Sequence, residues 1–207
     1  MQPLNIRNFK VAAAISFIIA IAVLCASSIL GKQEFFLLLN SDLGIFSDHF
    51  FAVFTYGGDA ITWPVMILIV MFILKRKDVL PLMISSFAVI TVITQICKYI
   101  IVPHELRPIK DIANTSLIHM VPGVEMHALS SFPSGHTATA FCFYLLFCLL
   151  IDNQLWIVTG LIYALLVGYS RIYLAEHFPL DVGAGIIVGI VSVYVAIKFQ
   201  QYWWKRK

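Results

Sequence analysis

Long apolar runs separated by short polar breaks make up most of this 207-residue chain. Residues 11–30 form the first run, long enough for one helical crossing of a bilayer. A second run ends at Leu74, where Lys75-Arg76-Lys77 closes it. Its start is blurred, because Gly57-Gly58-Asp59 interrupts the apolar pattern. Residues 79–101, 134–151, 155–173 and 179–199 supply four more runs. The pattern predicts an all-α polytopic membrane protein, a six-transmembrane-helix bundle, as a single domain over residues 1–207. A cleaved signal peptide competes for the first run. That run is long for such a segment, however, and no clean Ala-x-Ala site follows it.

The breaks carry their own predictions. Residues 31–49 mix Glu34, Asp42 and Asp48 with apolar positions, which suits a short amphipathic helix along the membrane interface. Pro103 and Arg107-Pro108 end any helix after residue 101, so 102–132 is the longest connection. Loops of that length usually serve function. The tail Tyr202-Trp203-Trp204-Lys205-Arg206-Lys207 reads as an aromatic and basic interfacial anchor.

Composition agrees with a membrane protein. The chain is 60% hydrophobic and 12% charged, with mean hydropathy +0.91. Soluble domains carry about 25% charged residues, roughly double this fraction. A net charge of +3 gives no ground for nucleic-acid binding. Cys25, Cys97, Cys142 and Cys148 all sit within apolar runs and read as small buried residues, not disulfides or metal ligands. No internal repeat and no obligate protein partner is evident.

Basic residues set the expected orientation. With six spans, nine of them (Arg7, Lys10, Lys75, Arg76, Lys77, Lys198, Lys205, Arg206, Lys207) fall on one side. Five (Lys32, Lys98, Arg107, Lys110, Arg171) fall on the other side or its membrane edge. The bias makes the first side cytoplasmic, with both termini there. In a bacterium the remaining polar motifs then face the periplasm from the inner membrane.

Three sequence-distant polar groups share that outer face: Lys98 with Arg107-Pro108, Pro133-Ser134-Gly135-His136, and Ser170-Arg171 followed by His177 and Asp181. Taken singly, Lys98 could be a snorkelling lysine and Arg171 a lipid-phosphate anchor. Together they suit phosphoryl transfer. Lys98, Arg107 and Arg171 could clamp phosphate oxygens, and Ser134 with the Gly135 and His136 amides adds donors at a helix start. Charge on a transferred phosphoryl group is spread over three oxygens, which such a cradle can stabilise. A neutral His177 could attack phosphorus while Asp181 holds its other nitrogen. His136 could protonate the leaving oxygen and then activate water. No cluster with metal-ligand spacing is seen in the sequence, so no metal or other cofactor is expected.

These motifs resemble the type 2 phosphatidic acid phosphatase (PAP2) superfamily. Pro133-Ser134-Gly135-His136 and Ser170-Arg171-x5-His177-x3-Asp181 match two of its three motifs, and Lys98…Arg107-Pro108 resembles the first. The motif-bearing core spans 98–181. Eight residues separate Lys98 from Arg107, where the family usually has six, so Arg107 is expected to matter more. The resemblance implies a PAP2/haloperoxidase-like six-span bundle that hydrolyses lipid phosphates without metal. It implies His177 as nucleophile, Asp181 as its partner and His136 as general acid. It assigns Lys98, Arg107, Ser134, Gly135, Ser170 and Arg171 to phosphate binding. Undecaprenyl pyrophosphate is the favoured substrate; lipid A 1-phosphate, phosphatidylglycerol phosphate and phosphatidic acid stay open. An anion or lipid transporter using the same charges competes, but transporters usually show repeats or paired broken spans, and neither is found.

Overall fold

The computed structural model describes residues 3–205 and, among them, contains helices and no named strand. In chain order the helices are α1 (Ile6–Leu30), α2 (Lys32–Leu39), α3 (Ile45–Phe54), α4 (Thr62–Leu68), α5 (Leu80–Ile96), α6 (Pro108–Asp111), α7 (Gly135–Leu150), α8 (Leu155–Tyr173) and α9 (Pro179–Lys205). A 3-10 turn, Thr55–Gly58, prolongs α3, and π-helical turns, Ile69–Ile73 and Cys97–Ile101, prolong α4 and α5. Arg206 and Lys207 of the expected anchor lie outside the described residues.

Four helical segments are long and apolar enough to cross a membrane: Ile6–Leu30, Lys77–Ile101, Leu155–Tyr173 and Pro179–Tyr202. A fifth counts if Ile45–Gly58 and Thr62–Ile73 are one broken span, bent by 64°. The break, residues 59–61, begins at the end of Gly57-Gly58-Asp59, where the apolar pattern faltered. Of the six expected runs, 134–151 is the one that falls short, because α7 has only 16 residues. Residues 31–49 hold α2 and the start of α3, two short helices where one was expected.

Helix α7 is the axis of the bundle and packs against α1, α5, α8 and α9. Its sequence is apolar on every side, and nearly all its residues are buried, as expected of a central helix. The outer helices keep their apolar side chains outward: Ile18, Ile29, Phe72, Ile84 and Leu155 are all more than half exposed, as lipid-facing residues would be. Small residues let the centre close. A Cβ on Gly185 would stand 2.6 Å from the Ser134 carbonyl oxygen, and one on Gly189 2.9 Å from that of Ala138. Glycines four apart on α9 therefore bring its backbone against α7, the packing that small-xxx-small spacing permits in membranes.

The long connection does not hang free. Leu106 and Leu129 form an antiparallel bridge, and the Ser131 amide donates to the Glu105 carbonyl at 3.1 Å. Ile112 and Ile118 bury against Phe36, Ile172 and Phe178, while Val121 buries against Phe51, Tyr173 and Leu174. Buried Asn40 stitches the layers: its amide donates to the carbonyls of Ile172, Tyr173 and His119, and its carbonyl accepts from the His119 amide. Lys32 reaches Glu105 at 3.2 Å and Asp111 at 3.3 Å. Partial burial opposes its charge, but the hydrogen bond to Glu105 and the two carboxylates prevail, and the Lys32 pKa is raised. The loop thus closes over one end of the bundle, where α5 and α8 end and α7 and α9 begin.

Candidate functional site

The site grows from two helix starts and two helix ends. Ser134 caps α7: its hydroxyl oxygen accepts from the Thr137 amide at 3.3 Å and from the Thr137 hydroxyl at 2.9 Å. Gly135 and His136 then begin the helix, with open space where a Gly135 side chain would be. Pro179 opens α9, as its fixed φ favours, and puts Asp181 in the first turn. There the Asp181 carboxylate reaches back to accept from the Phe178 amide at 2.9 Å, the N3-to-N-cap half of a capping box. The same oxygen accepts from the Ser131 hydroxyl at 2.5 Å and stands 3.4 Å from His177 Nδ1.

His177 is 2% exposed, and its Nδ1 has no hydrogen-bond partner in this resting geometry. Its position comes from a tight turn after α8. Ala175 adopts a left-handed φ of 54°, and the amides of both Glu176 and His177 donate to the Arg171 carbonyl at 3.0 Å. Burial, reinforced by the charges of Arg107, Arg171 and Lys98, pushes the His177 pKa well below the usual histidine range. The imidazole is therefore neutral, the state in which a nitrogen lone pair can attack.

Both arginines are buried beside it. Arg107 Nε donates to the Leu129 carbonyl at 3.0 Å, and its Nη1 is paired with Glu176. Arg171 Nη1 donates to the Thr55 hydroxyl at 2.5 Å, and its Nη2 lies 3.4 Å from Glu176. Arg171 Nε has no partner. A guanidinium has five N–H donors, so each arginine keeps donors free for an oxyanion. Lys98 lies in the π turn Cys97–Ile101, close enough that its charge acts on His177. The structure therefore gathers Lys98, Arg107, Ser134, Gly135, His136, Arg171, His177 and Asp181 at one end of the bundle. Ser170 differs, because its buried hydroxyl donates to the Val167 carbonyl of its own helix at 2.7 Å.

Residues 79–205 match the family model described as the PAP2 superfamily. The chain belongs to the PAP2 superfamily. It is 32% identical over 145 residues to an undecaprenyl-diphosphatase of Sulfolobus acidocaldarius, covering 70% of this chain and 66% of that one, just under two thirds. It is 35% identical over 81 residues to phosphatidylglycerophosphatase B of Bacillus subtilis, covering 34% of this chain and 39% of that one. The crystal structure of Aquifex aeolicus LpxE superposes with a TM-score of 0.68 at 30% identity, covering 81% of this chain and 94% of that one.

Several residues around this PAP2 site escaped the motif reading. Glu176 occupies one of the five unassigned positions between Arg171 and His177, yet it is 3% exposed and holds both arginines. His127 of the long loop adds a contact to it at 3.2 Å. A buried-acid reading of the five-residue spacer could have flagged Glu176; nothing in the sequence ties His127 to it. Thr55 and Asp59 come from the broken second run, and Asp59 Oδ2 stands 3.7 Å from His136 Nε2. Asp42, Asp48 and His119 also gather at this end, with potential ligand atoms within 4.8 Å of one another. Asp48 there already accepts from the Tyr173 hydroxyl at 2.6 Å and lies 2.9 Å from His119 Nε2, which ties the loop to α8.

Proposed function

We propose that this PAP2 protein hydrolyses a lipid phosphate or diphosphate, undecaprenyl diphosphate above all, through a phosphohistidine on His177. One observation carries the reading: buried His177 faces Asp181 with Nδ1 while the charges of Arg107, Arg171 and Lys98 act on its ring. The other nitrogen, Nε2, attacks phosphorus, and Asp181 stabilises the imidazolium that forms. Lys98, Arg107, Arg171 and the start of α7 hold the three phosphoryl oxygens. His136 gives a proton to the leaving oxygen, then takes one from the water that cleaves the P–N bond. The mechanism needs no metal, because the cations of the cradle are side chains.

The relatives' names support the substrate class and cover both a prenyl diphosphate and a glycerophosphate lipid. The apolar flanks of the bundle suit a substrate that stays in the bilayer. In this reading α7 is the sixth span, shortened because it is sheathed by its neighbours. The nine-to-five division of basic residues turns the site away from the cytoplasm. Cysteines introduced at 111–126 should then label on intact cells; labelling only after lysis would reverse the orientation.

The decisive experiment is phosphate release by purified protein in EDTA. Undecaprenyl diphosphate, phosphatidylglycerol phosphate, phosphatidic acid and lipid A 1-phosphate are compared. Turnover with undecaprenyl diphosphate fastest is expected. No release from any of them would leave an anion-binding transporter as the better account. Release only after Mg²⁺ is restored would overturn the metal-free mechanism.

A further inference from the structure

The break in the second apolar run, Gly57-Gly58-Asp59, is not absorbed by the three motifs. The structure holds residues 55–59 against α7 and α8 at four points. The Thr55 hydroxyl accepts from Arg171 Nη1 at 2.5 Å. The Gly57 carbonyl accepts from the Tyr163 hydroxyl at 2.6 Å. A Cβ on Gly58 would stand 2.6 Å from the His136 carbonyl oxygen and 2.7 Å from a Val167 methyl, so only glycine lets the chain pass there. Asp59 then divides its carboxylate. Oδ1 accepts from the Ile61 amide at 3.2 Å in an Asx turn, and Oδ2 faces His136 Nε2 at 3.7 Å.

We infer that Asp59 is the counter-charge of His136, a positioning residue that lets the imidazole carry the proton it delivers to the leaving oxygen. The inference rests on the acid role given to His136 above. A general acid must enter the reaction protonated. The charged and titratable groups that act on His136 are Arg171 from α8, His177 from the following turn, Lys98 from the end of α5 and Arg107 from the long loop. Burial opposes a positive ring first, and the three cations add to it, while His177, itself neutral, adds no charge. Asp59 is the carboxylate that stands within ion-pair distance of it among the described residues. The substrate's own phosphate adds negative charge only while bound, so a fixed anion is what holds the proton on His136 between turnovers. Asp59 and His136 also line one cavity of about 300 Å³ with Phe87, Ile90 and Gln95 of α5.

The proton ledger is closed. As His177 bonds to phosphorus, the bond from phosphorus to the leaving oxygen breaks, and the His136 proton ends on that oxygen. Water then attacks phosphorus, His136 takes its proton, and the P–N bond breaks. Asp59 makes and breaks no bond.

Asp59→Asn keeps an oxygen for the Ile61 turn and removes the charge. The test compares wild type, D59N and H136A with two substrates, undecaprenyl diphosphate and p-nitrophenyl phosphate, whose leaving group needs no proton. D59N should lose about 10- to 100-fold in kcat on the lipid, part of the general-acid contribution. Its loss on the aryl phosphate should be at least tenfold smaller. The limb of the lipid profile where activity falls with rising pH should move to lower pH in D59N, because His136 holds its proton less firmly. Equal losses on both substrates, or an unmoved limb, would reduce Asp59 to a turn residue. H136A checks the underlying reading separately: if it keeps full lipid turnover, His136 is not the acid and the failure lies there.

Discussion

Two ends of the same bundle bury arginines in different ways. At the end opposite the site, Arg76 is 3% exposed and grips Asp78, two residues away, with two parallel hydrogen bonds of 2.9 and 3.0 Å. The pair is local, and the Gln200 amide donates to the Asp78 carbonyl at 2.8 Å, tying the end of α9 to the turn. At the site end, Arg107 of the long loop meets Arg171 and Glu176 of the turn that ends α8, one carboxylate serves two guanidiniums, and Arg171 Nε is left unpaired. A buried charge gripped by a carboxylate two residues away ties a turn together. Buried charges that share too few partners keep donors in reserve, which is what an oxyanion cradle would require. Burial alone does not separate the two cases; the orphaned nitrogen, Arg171 Nε, does.

The largest expected effect tests the cradle's centre. His177→Ala should lose on the order of 10⁴-fold or more in kcat, as happens when one member of a catalytic unit is removed. It should trap no acid-labile phosphate, whereas the wild type should trap some in a rapid quench. Phosphate trapped on His136 in this variant would reverse the two roles.

The next pair puts the comparison itself at risk. Arg171→Lys keeps the charge and loses the fork, so kcat/KM should fall about 100-fold with little change in melting temperature. Arg76→Ala breaks a buried pair and should cost about 3 kcal/mol of stability while kcat changes little. If Arg76→Ala impairs turnover as much as Arg171→Lys, the two ends do not differ in kind.

Glu176→Gln sharpens the account of the reserve. The amide keeps the shape and removes the anion that occupies the arginines. Inorganic phosphate should then inhibit about tenfold more tightly, because the cradle no longer carries an internal competitor. Weaker inhibition would show that Glu176 mainly aims the guanidiniums.

The smallest effect is one of pH. His177 has a depressed proton affinity in the folded protein, so acidification toward the usual histidine value near 6.5 leaves it neutral. The acid-side midpoint of kcat should therefore lie below pH 6.5. The unfolded chain takes up the proton that the folded site refuses, so stability contributed by this residue is present above pH 6.5 and declines as pH falls. A midpoint at or above 6.5 would mean that His177 is more solvated than the structure has it.

The chain's own order of residues determined much of this. Apolar run lengths dictated a helical membrane protein, because helices satisfy their backbone hydrogen bonds internally in lipid. Proline and small polar residues at 133–135 and 179–181 dictated where α7 and α9 begin, through local capping that needs no partner. The spacing of His177 and Asp181, four residues apart across a helix start, dictated their meeting. Tertiary structure alone decided the rest. Asp59 and His136 are far apart in sequence, and so are Thr55 and Arg171; their contacts exist because Gly58 lets a broken helix lie against α7. Glu176 could be read as a spacer until Arg107 arrived from another segment to neutralise it. The 16-residue α7 could pass for an ordinary span until the close approach of α9 at Gly185 and Gly189 showed it to be the sheathed centre. Local rules act over a few residues along the chain, whereas burial and charge pairing act over a few ångströms in space, and only folding turns the second distance into a fact about particular residues.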